Sequence, residues 1–356
     1  MRVLLVADVD LSLPGGLETH LVELSRCLAA RGHEVHATAR ASRPLVDLAA
    51  RLLARDRIDP ATYDILHHHG GPWPRAWRGA MAAGGDPGDP PAPYLRTFHF
   101  SVAAKMGVYL RMGRVRTLFN PGNHRALWEE RASLWWGRRH VAVSRSLRDE
   151  LVRFHGASRD AIDVIPNGAS FASPRLGRAA WRRQQGIPED APLLLTIGRD
   201  DYVKGFDLLA RAWEQSTDRR PPRALWVRVG GSDPSRSSDV VTTGPITPEA
   251  VTEWIHAADV GAFPSYYEGG GIALTDMLAG GLYVLTHAVG VAPEVIRPGE
   301  NGEFVPRRPA SWAEALARAL HSPPRPSAPM LGPEWGWGAM AARVEEVYRR
   351  PGGRPA

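Results

Sequence analysis

A short segment in the second half of the sequence carries two cations where a strand would give way to a helix. Residues 198–205 read Gly-Arg-Asp-Asp-Tyr-Val-Lys-Gly and include Arg199 and Lys204. A helix N-terminus favours anions, because its backbone N–H groups are unpaired and the helix dipole is positive there. Lys204 is one of only two lysines in a chain with 44 basic residues, and its compact ammonium suits a narrow site. The segment indicates a diphosphate site, although an ordinary surface loop with ion pairs has the same composition.

A glycine-rich loop with a carboxylate on each side lies further along the chain. Glu268 precedes Gly269, Gly270 and Gly271, and Asp276 follows them in a predicted helix. Glycines let backbone N–H groups approach a ligand closely, and carboxylates hold hydroxyls by charge-assisted hydrogen bonds. The loop therefore indicates a site for a ligand with several hydroxyls. The alternative is that Glu268 caps the helix and Asp276 is solvated.

The first half of the sequence offers a glycine turn and several histidines. Gly15 and Gly16 lie between the first predicted strand and helix, so a second helix N-terminus is available for a phosphate. His99 ends another predicted strand, either as a substrate contact or as a structural residue. His67–His69 suggests a metal site, but adjacent strand residues point to opposite faces, and no carboxylate or cysteine is spaced as a partner. We therefore expect no metal site.

These segments are positioned by alternating apolar runs and amphipathic stretches. In the first half the predicted strands are 3–9, 34–39, 63–67, 94–98 and 140–143. The predicted helices are one carried by Leu17, Leu21, Leu24 and Leu28 and ended by Gly32, then 44–55, 74–83, 123–136 and 144–155. Strands separated by helices indicate a parallel sheet, with 84–93 as a loop.

The alternation restarts after Asn167-Gly168. The predicted strands are 193–197, 225–229, 260–264 and 283–286, and the predicted helices are 205–216, 248–258, 271–279, 309–320 and 335–349. The stretch 169–190 is predicted to be an irregular hinge. We expect two doubly wound α/β domains, 1–168 and 169–332, and a final helical segment, 333–356. In such sheets ligands bind beyond the carboxyl ends of the strands.

Composition excludes several classes of protein. The 356 residues, 44% hydrophobic and 23% charged, suffice for two globular domains. The single cysteine, Cys27, excludes a disulfide framework. No apolar run approaches the roughly 18–20 residues of a membrane span, and Asp8 and Asp10 interrupt the N-terminal run, so we expect no signal peptide and a cytoplasmic protein. The net charge of +6 comes from scattered arginines without a recognition motif, so nucleic-acid binding is not expected.

The order and spacing of the motifs resemble those of the retaining GT-B glycosyltransferases of the group 1, or family four, type. The resemblance covers nearly the whole chain. The matching segments are 14–20 with 31–35, 97–100, 143–147, 165–168, 198–205 and 268–276. It implies a GT-B fold, in which two Rossmann-like doubly wound domains face each other across a cleft and a C-terminal helix crosses back to pack on the first domain.

The resemblance also implies an activity. A sugar would move from a nucleotide diphosphate sugar, carried by UDP or GDP, to a hydroxyl, with retention of configuration and without a metal or other cofactor. By that analogy Arg199 and Lys204 bind the diphosphate and stabilise the leaving group. Glu268, His99 and the backbone of Gly269, Gly270 and Gly271 would contact the donor sugar, and Asp276 would bind the ribose. Gly15 and Gly16 would line the phosphates, and the loop with Gly244 and Ile246 would contact the base.

Two departures from the family pattern affect these roles. Asp276 stands where glutamate is usual, one methylene shorter, and Gly270 stands where an aromatic residue is usual. The alternatives are a sugar-nucleotide 2-epimerase of the same fold, which would need other carboxylates, and a binding protein without catalysis. A nicotinamide dehydrogenase is disfavoured, because the G-x-G-x-x-G fingerprint and its acidic partner are missing.

The acceptor is left open by the sequence. A soluble small molecule, such as an aminocyclitol in antibiotic biosynthesis, a glycan and a cell-envelope lipid all fit. Residues 105–139 interleave arginines with Leu, Trp and Phe, which is typical of weak contact with an anionic membrane. A solvated helical face whose aromatic residues pack inward explains the same pattern. The oligomeric state has no signal in the sequence.

Overall fold

The chain folds into two compact units in a computed structural model, which describes residues 1–13, 15–42, 48–53, 58–70, 94–136, 139–324 and 330–350. The first unit comprises Met1–Gly168 and Trp337–Ala356, and the second comprises Ala169–Gly336. Residues 333–336, expected with the final helix, stay with the second unit. The reason is that the Ala169 N–H donates to the Trp335 carbonyl at 2.8 Å.

The first unit is built on a parallel sheet with helices between its strands. The strands are Arg2–Val6, Glu34–Ala37, Arg51–Leu52, Ile65–His68, Tyr94–Phe98, Arg139–Ala142 and Ile162–Val164, numbered β1 to β7. Within the described residues their order in the sheet is β3-β2-β1-β4-β5-β6-β7. The helices are Gly16–Ala30, Val102–Arg111, Pro121–Trp136 and Arg145–His155, numbered α1 to α4. The central strand β1 is buried from Val3 to Val6, as expected for a parallel sheet covered on both faces.

The second unit has a sheet of the same kind. The strands are Leu193–Ile197, Leu225–Arg236, Val240–Gly244, Val260–Phe263, Tyr283–Thr286 and Gly302–Phe304, numbered β8 to β13. Their order in the sheet, within the described residues, is β10-β9-β8-β11-β12-β13. The helices are Arg178–Gln184, Phe206–Gln215, Pro248–Ala257, Ile272–Ala279, Ala292–Val295 and Pro309–His321, numbered α5 to α10. The reversal of strand order beside β8 is the switch point at which such sheets bind ligands.

The final helix, α11 (Trp337–Arg349), belongs to the first unit. It packs against α1, where its buried Glu345 accepts hydrogen bonds from Arg31 Nε at 2.6 Å and from His33 Nε2 at 3.0 Å. Its other end meets Gly168, where a Cβ atom would lie 2.4 Å from the Trp337 ring. The helix therefore covers the first unit, as the expected fold requires.

The observed elements differ from the predicted ones in several places. Arg51–Leu52 is an edge strand rather than part of a helix, because it pairs with β2, whereas 43–47 and 54–57 lie outside the described residues. The predicted helix 74–83 and loop 84–93 lie outside them as well. The helix α2 was missed, although Ser101 caps it by accepting the Ala104 N–H. The stretch 169–190, predicted to be irregular, contains α5.

Candidate functional site

Two loops of the second unit bring a lysine and a glutamate together. Lys204 Nζ donates to Glu268 Oε1 at 2.6 Å, and Ser265 Oγ donates to the same oxygen at 2.8 Å. The side chains of Lys204 and Glu268 are 24% and 14% exposed. The loops follow β8 and β11, which pair side by side, so residues far apart in sequence meet at the carboxyl edge of the sheet.

Backbone packing fixes the position of Lys204. The residue ends a short 3₁₀ turn, Tyr202–Lys204, in which Asp201 accepts the Val203 N–H at 3.2 Å. Gly205 follows with φ 69°, and a Cβ atom there would lie 2.1 Å from the Pro264 carbonyl oxygen. The Tyr266 N–H donates to the Val203 carbonyl at 2.6 Å. The two loops therefore touch backbone to backbone, and only glycine fits at position 205.

Arg199 is exposed at the start of the same loop. The next residue, Asp200, is anchored by Arg228 and by Ser232, whose N–H donates to Asp200 Oδ2 at 2.5 Å and whose Oγ donates at 2.9 Å. The Arg228 guanidinium lies 4.2 Å from the centre of the Phe206 ring, and burial lowers its pKa. Sequence reasoning missed Arg228, since an arginine inside a strand carries no motif. Its effect is to hold the backbone on which Arg199 stands.

The glycine loop after β11 is supported by a second backbone contact. The Val291 N–H donates to the Gly270 carbonyl at 2.9 Å. Gly290 has φ 55°, and a Cβ atom there would lie 2.3 Å from the Gly270 oxygen and 2.9 Å from Glu268 Cβ. Gly290 was also missed, although a glycine soon after a predicted strand is a signal for close backbone approach. The loop that carries Glu268 is thus held from two sides.

A buried histidine, His287, lies beneath this loop. Its Nδ1 is 2.9 Å from the Ser265 carbonyl, and Trp312 Nε1 donates to its Nε2 at 3.0 Å. These contacts select the neutral ring with the proton on Nδ1. Burial lowers the pKa of His287 to about 4, with a smaller contribution from Arg307. The residue follows β12 directly, a position that could have marked it as important. It fixes Ser265, which in turn binds Glu268.

The remaining candidates of the second unit make separate contacts. Asp276, on α8, accepts the Ser170 N–H through Oδ1 at 2.8 Å, so one of its two oxygens already binds backbone. Gly244 ends β10 at a point where a Cβ atom would lie 2.9 Å from Pro234 Cγ. Ile246 packs on the core of the unit. The structure thus brings Lys204 and Glu268 together with the glycine loop that follows β11, whereas Asp276, Gly244 and Ile246 lie on other elements.

In the first unit, the expected alternation of His67–His69 is confirmed. His67 Nδ1 and Nε2 contact Tyr348 Oη at 2.6 Å and Thr97 Oγ1 at 2.7 Å. His69 lies on the same side, with its ring centre 4.0 Å from that of His67, while His68 meets Tyr94 instead. Gly15 and Gly16 begin α1; Pro14 lies outside the described residues.

His99 lies in a cluster of histidines that the sequence did not reveal. Its Nε2 is 3.2 Å from His69 Nδ1, and its ring centre is 4.6 Å from that of His20 on α1. One ring nitrogen of each of these three residues lies within 4.8 Å of the others. Burial and the neighbouring His20, His67 and Arg96 hold the pKa of His99 well below its usual value. His20 lies on α1, and His69 and His99 directly follow β4 and β5, so no local spacing could signal the cluster.

Among the described side chains of 105–139, two aromatic ones are exposed. Phe119 is 80% exposed and Trp128 is 63% exposed, so the expectation that the aromatic residues of this face pack inward is wrong for both. Val115 and Leu118 in the same range are exposed as well. No helix within the described ranges has both the length and the apolar character needed to cross a bilayer.

Two family models match the sequence. The one described as "Glycosyl transferases group 1" matches residues 177–330, and "Glycosyltransferase Family 4" matches residues 37–172. A D-inositol 3-phosphate glycosyltransferase of Streptomyces scabiei is 30% identical over 388 residues, which cover 94% of this chain and 86% of the relative. One from Xylanimonas cellulosilytica is 28% identical over 404 residues, which cover 95% and 93%.

Solved structures share the fold at lower identity. Sucrose-phosphate synthase from Thermosynechococcus elongatus has a TM-score of 0.77 at 22% identity, with 98% of both chains covered. Anabaena HepE, solved in complex with UDP and glucose, has a TM-score of 0.74 at 16% identity, with 98% of this chain and 99% of that chain covered.

Proposed function

Because the chain belongs to the group 1 glycosyltransferases and has their two-domain GT-B fold, we propose that it transfers a sugar from a nucleotide diphosphate sugar to a hydroxyl with retention of configuration. The observation that carries the proposal is the contact of Lys204 with Glu268 at adjacent strand ends. A cation for a phosphate and a carboxylate for a hydroxyl are thereby held side by side, which matches the two chemical parts of such a donor.

Arg199 and Lys204 bind the diphosphate in this proposal. The Lys204 ammonium can donate three hydrogen bonds, of which Glu268 takes one, so phosphate oxygens can occupy the others. Arg199 is exposed at the start of the same loop and can bind a phosphate through two N–H groups. Negative charge grows on the diphosphate as the sugar leaves, and two fixed cations stabilise that charge more than they stabilise the ground state.

The other residues bind the rest of the donor. Glu268 accepts hydrogen bonds from sugar hydroxyls, beside the backbone of Gly269, Gly270 and Gly271. Asp276, which accepts the Ser170 N–H through Oδ1, binds the ribose. His99 contacts the donor sugar, and Gly15 and Gly16 line the phosphates. The loop with Gly244 and Ile246 contacts the base. Neither a metal nor another cofactor takes part in the transfer.

The comparisons support a narrower choice of substrates. The two relatives are named D-inositol 3-phosphate glycosyltransferases, and HepE was solved with UDP and with UDP-glucose. We therefore propose a UDP-sugar as the donor and a small cyclic polyol, phosphorylated or aminated, as the acceptor. Both proposed substrates are anionic or polar, so many of their groups must be met by charged side chains and backbone N–H groups.

The exposed Phe119 and Trp128 also support a weak contact of this face with an anionic membrane, which would place a lipid acceptor within reach. Sedimentation with phosphatidylglycerol vesicles should fall several-fold when both are replaced by serine, and it should not fall for Phe154→Ser, an exposed phenylalanine on α4. Equal sedimentation of all three proteins would remove this part of the proposal.

A matrix of donors and acceptors tests the function. The protein is incubated with UDP- and GDP-sugars and with inositol phosphates, aminocyclitols, glycans and lipids, and products are followed by mass spectrometry. We expect one glycosylated polyol, formed equally with EDTA present, whose anomeric configuration by NMR equals that of the donor. An inverted product would contradict retention. A donor changed only at its C2 centre would indicate an epimerase, and tight donor binding without any product would indicate a binding protein.

A further inference from the structure

The three histidines of the first unit have the composition of a transition-metal site. His20, His69 and His99 each place a ring nitrogen within 4.8 Å of the other two. Three imidazoles without a carboxylate favour Zn²⁺, Cu²⁺, Ni²⁺ or Co²⁺ over Mg²⁺ and Ca²⁺, which prefer oxygen ligands. Zn²⁺ with three histidines and one open position is a familiar arrangement in proteins.

The distances are close to those that a metal requires. Two nitrogens bound to Zn²⁺ at about 2.0–2.1 Å in a tetrahedron lie about 3.3 Å apart. His69 Nδ1 and His99 Nε2 are already 3.2 Å apart. The third ring, that of His20, lies 5.1 Å from His69 and 4.6 Å from His99 between ring centres. The nitrogens of all three rings lie within 4.8 Å of one another, so a shift of the His20 side chain by up to about 1.5 Å brings its nitrogen to the separation of about 3.3 Å.

An unpaired nitrogen provides independent support. His20 is 2% exposed, and its Nδ1 lies 2.9 Å from Asn167 Oδ1, an acceptor, so the ring proton belongs on Nδ1. Its Nε2 is buried and, among the described residues, has no hydrogen-bond partner. An unpaired buried acceptor is unfavourable, and a cation would satisfy it. A ligating histidine held by a carbonyl through its other nitrogen is the usual arrangement at metals.

The surrounding groups hold the three rings in place. His20 and His69 are 2% and 3% exposed, and His99 is partly buried. His67, the fourth ring nearby, is occupied on both nitrogens by Thr97 and Tyr348, so it buttresses the cluster and does not ligate.

We propose that His20, His69 and His99 bind one divalent transition-metal ion, with Zn²⁺ as the best fit, and that the bound ion inhibits glycosyl transfer. The inhibition rests on the proposed function, in which His99 contacts the donor sugar and cannot do so while it ligates the metal. The ion binds through nitrogen lone pairs, since a neutral imidazole can move its proton to its other nitrogen. The transfer itself uses no metal, so the site is a regulatory one.

Metal binding is tested first, without reference to activity. The metal-free protein is titrated with Zn²⁺ against a chromophoric indicator and with Co²⁺, whose visible absorption reports tetrahedral coordination. We expect the wild type to bind one ion per chain. The affinity for that ion should fall by about 10- to 100-fold or more in His20→Gln, and by about 10-fold in Asn167→Ala, because Asn167 orients His20. His68→Gln, the triplet member on the other side of β4, should bind like the wild type. No tight ion in the wild type, or equal binding by all four proteins, overturns the site.

Inhibition is tested second. Turnover of wild type should fall at least 10-fold when Zn²⁺ saturates the site, recover with EDTA and ignore Mg²⁺, while His20→Gln should keep its turnover at the same Zn²⁺ concentration. Stoichiometric binding with undiminished turnover would refute the inhibition and leave the site. If metal-free protein transfers no sugar at all, the proposed function fails, whereas the titration still decides the metal site.

Discussion

Lys204 shows how neighbouring groups prepare one side chain for a ligand. Its ammonium contacts Glu268, and its stem passes Gly198, where a Cβ atom would lie 3.7 Å from Lys204 Cδ. A partly solvated pair of this kind contributes roughly 0–1 kcal/mol to stability. The contact of Lys204 with Glu268 therefore matters more for positioning the ammonium than for the stability of the fold. Loss of the lysine should damage the chemistry and spare the fold.

The substitution Lys204→Ala should lower turnover by about 10²–10³-fold, the range seen when one group that stabilises developing charge is removed. The midpoint of thermal unfolding should stay within a few degrees of wild type, since the pair is weakly stabilising. Arg199→Ala should act in the same direction. Turnover is measured as UDP release in the presence of acceptor.

Arg211→Ala is the matched control for these variants. Arg211 is a cation on the helix that follows Lys204, 3.8 Å from Asp207 and 67% exposed. Its loss should leave turnover nearly unchanged. Full activity in both Lys204→Ala and Arg199→Ala, or an equal loss in Arg211→Ala, would remove the diphosphate role from the pair.

His287 makes the second unit sensitive to acid. Its pKa is about 4 in the fold and 6.5 ordinarily, so the unfolded chain binds the proton first as pH falls. Stability is therefore complete above about pH 6.5 and is lost as pH falls toward 4, by at most about 3 kcal/mol. The protonated ring would turn a second N–H toward Trp312 Nε1–H. Urea unfolding at several pH values measures the effect.

The variant His287→Asn isolates this contribution. Asparagine can donate to the Ser265 carbonyl but does not titrate, while Tyr266 and Arg307, which also face the ring, are unchanged. The fall in stability between pH 6.5 and 4.5 should be smaller in the variant than in wild type. Parallel curves for the two proteins would show that His287 does not cause the dependence.

Loops at the carboxyl ends of β8, β11 and β12 depend on one another. Gly205 rests on Pro264, and Gly290 rests on Gly270, so each loop forms one wall of the next. Such close packing leaves no room for a side chain, and rigid loops keep charged groups at fixed separations. The conformation of the Lys204 segment is thus determined by a contact outside it.

Gly205→Ala tests this dependence. The Cβ atom would meet the Pro264 oxygen and the residue would keep a left-handed backbone, so we expect a loss of roughly 3 kcal/mol or more and a fall in turnover. Gly281→Ala is the control, because Gly281 has φ 81° but no other atom lies within 4 Å of the position that its Cβ would take. It should cost only about 1–2 kcal/mol and keep turnover. Equal losses in the two variants would mean that the loop contact is unimportant.

The sequence predicts elements well where one physical signal dominates. The sequence predicts strand Leu193–Ile197 at its observed bounds, because a mostly apolar run followed by a glycine and charged residues admits few alternatives. Arg51–Leu52 was wrongly given to a helix, since a two-residue edge strand is specified by its partner β2 rather than by its own residues. Lys204 and Glu268 were found because strand ends in such sheets share one edge.

The support of the site could not be predicted in the same way. His287, Arg228 and Gly290 act through contacts with residues in other loops and helices, and only the folded chain brings these residues together. The cluster of His20, His69 and His99 has the same origin, because its rings come from α1 and from the residues that directly follow β4 and β5. The spacing of His67–His69 concerns only immediate neighbours, whereas the partners of His69 come from elsewhere in the chain.

The last helix returns the end of the chain to the unit in which it begins. Glu345 is 3% exposed and accepts hydrogen bonds from Arg31, His33 and Arg349. The bond from Arg31 contributes most to holding the pKa of Glu345 below its usual value. Tyr348 of the same helix contacts His67, so α11 reaches the residues that surround the histidine cluster.

Glu345→Gln should destabilise the first unit by about 2–3 kcal/mol, because it removes the charge that binds two arginines. Glu346→Gln, the exposed neighbour on the same helix, should change stability by less than about 0.5 kcal/mol. Urea unfolding of the full chain measures both. If the two variants are equally stable, α11 is not held to the first unit through this carboxylate.

A crystal of the protein soaked with UDP tests the central claim most directly, because it shows where a diphosphate binds. We expect the diphosphate oxygens within about 2.7–3.2 Å of Lys204 Nζ and of the Arg199 guanidinium, with Glu268 still beside Lys204. Well-ordered UDP at another place, with Arg199 and Lys204 contacting only solvent and protein, would contradict the account.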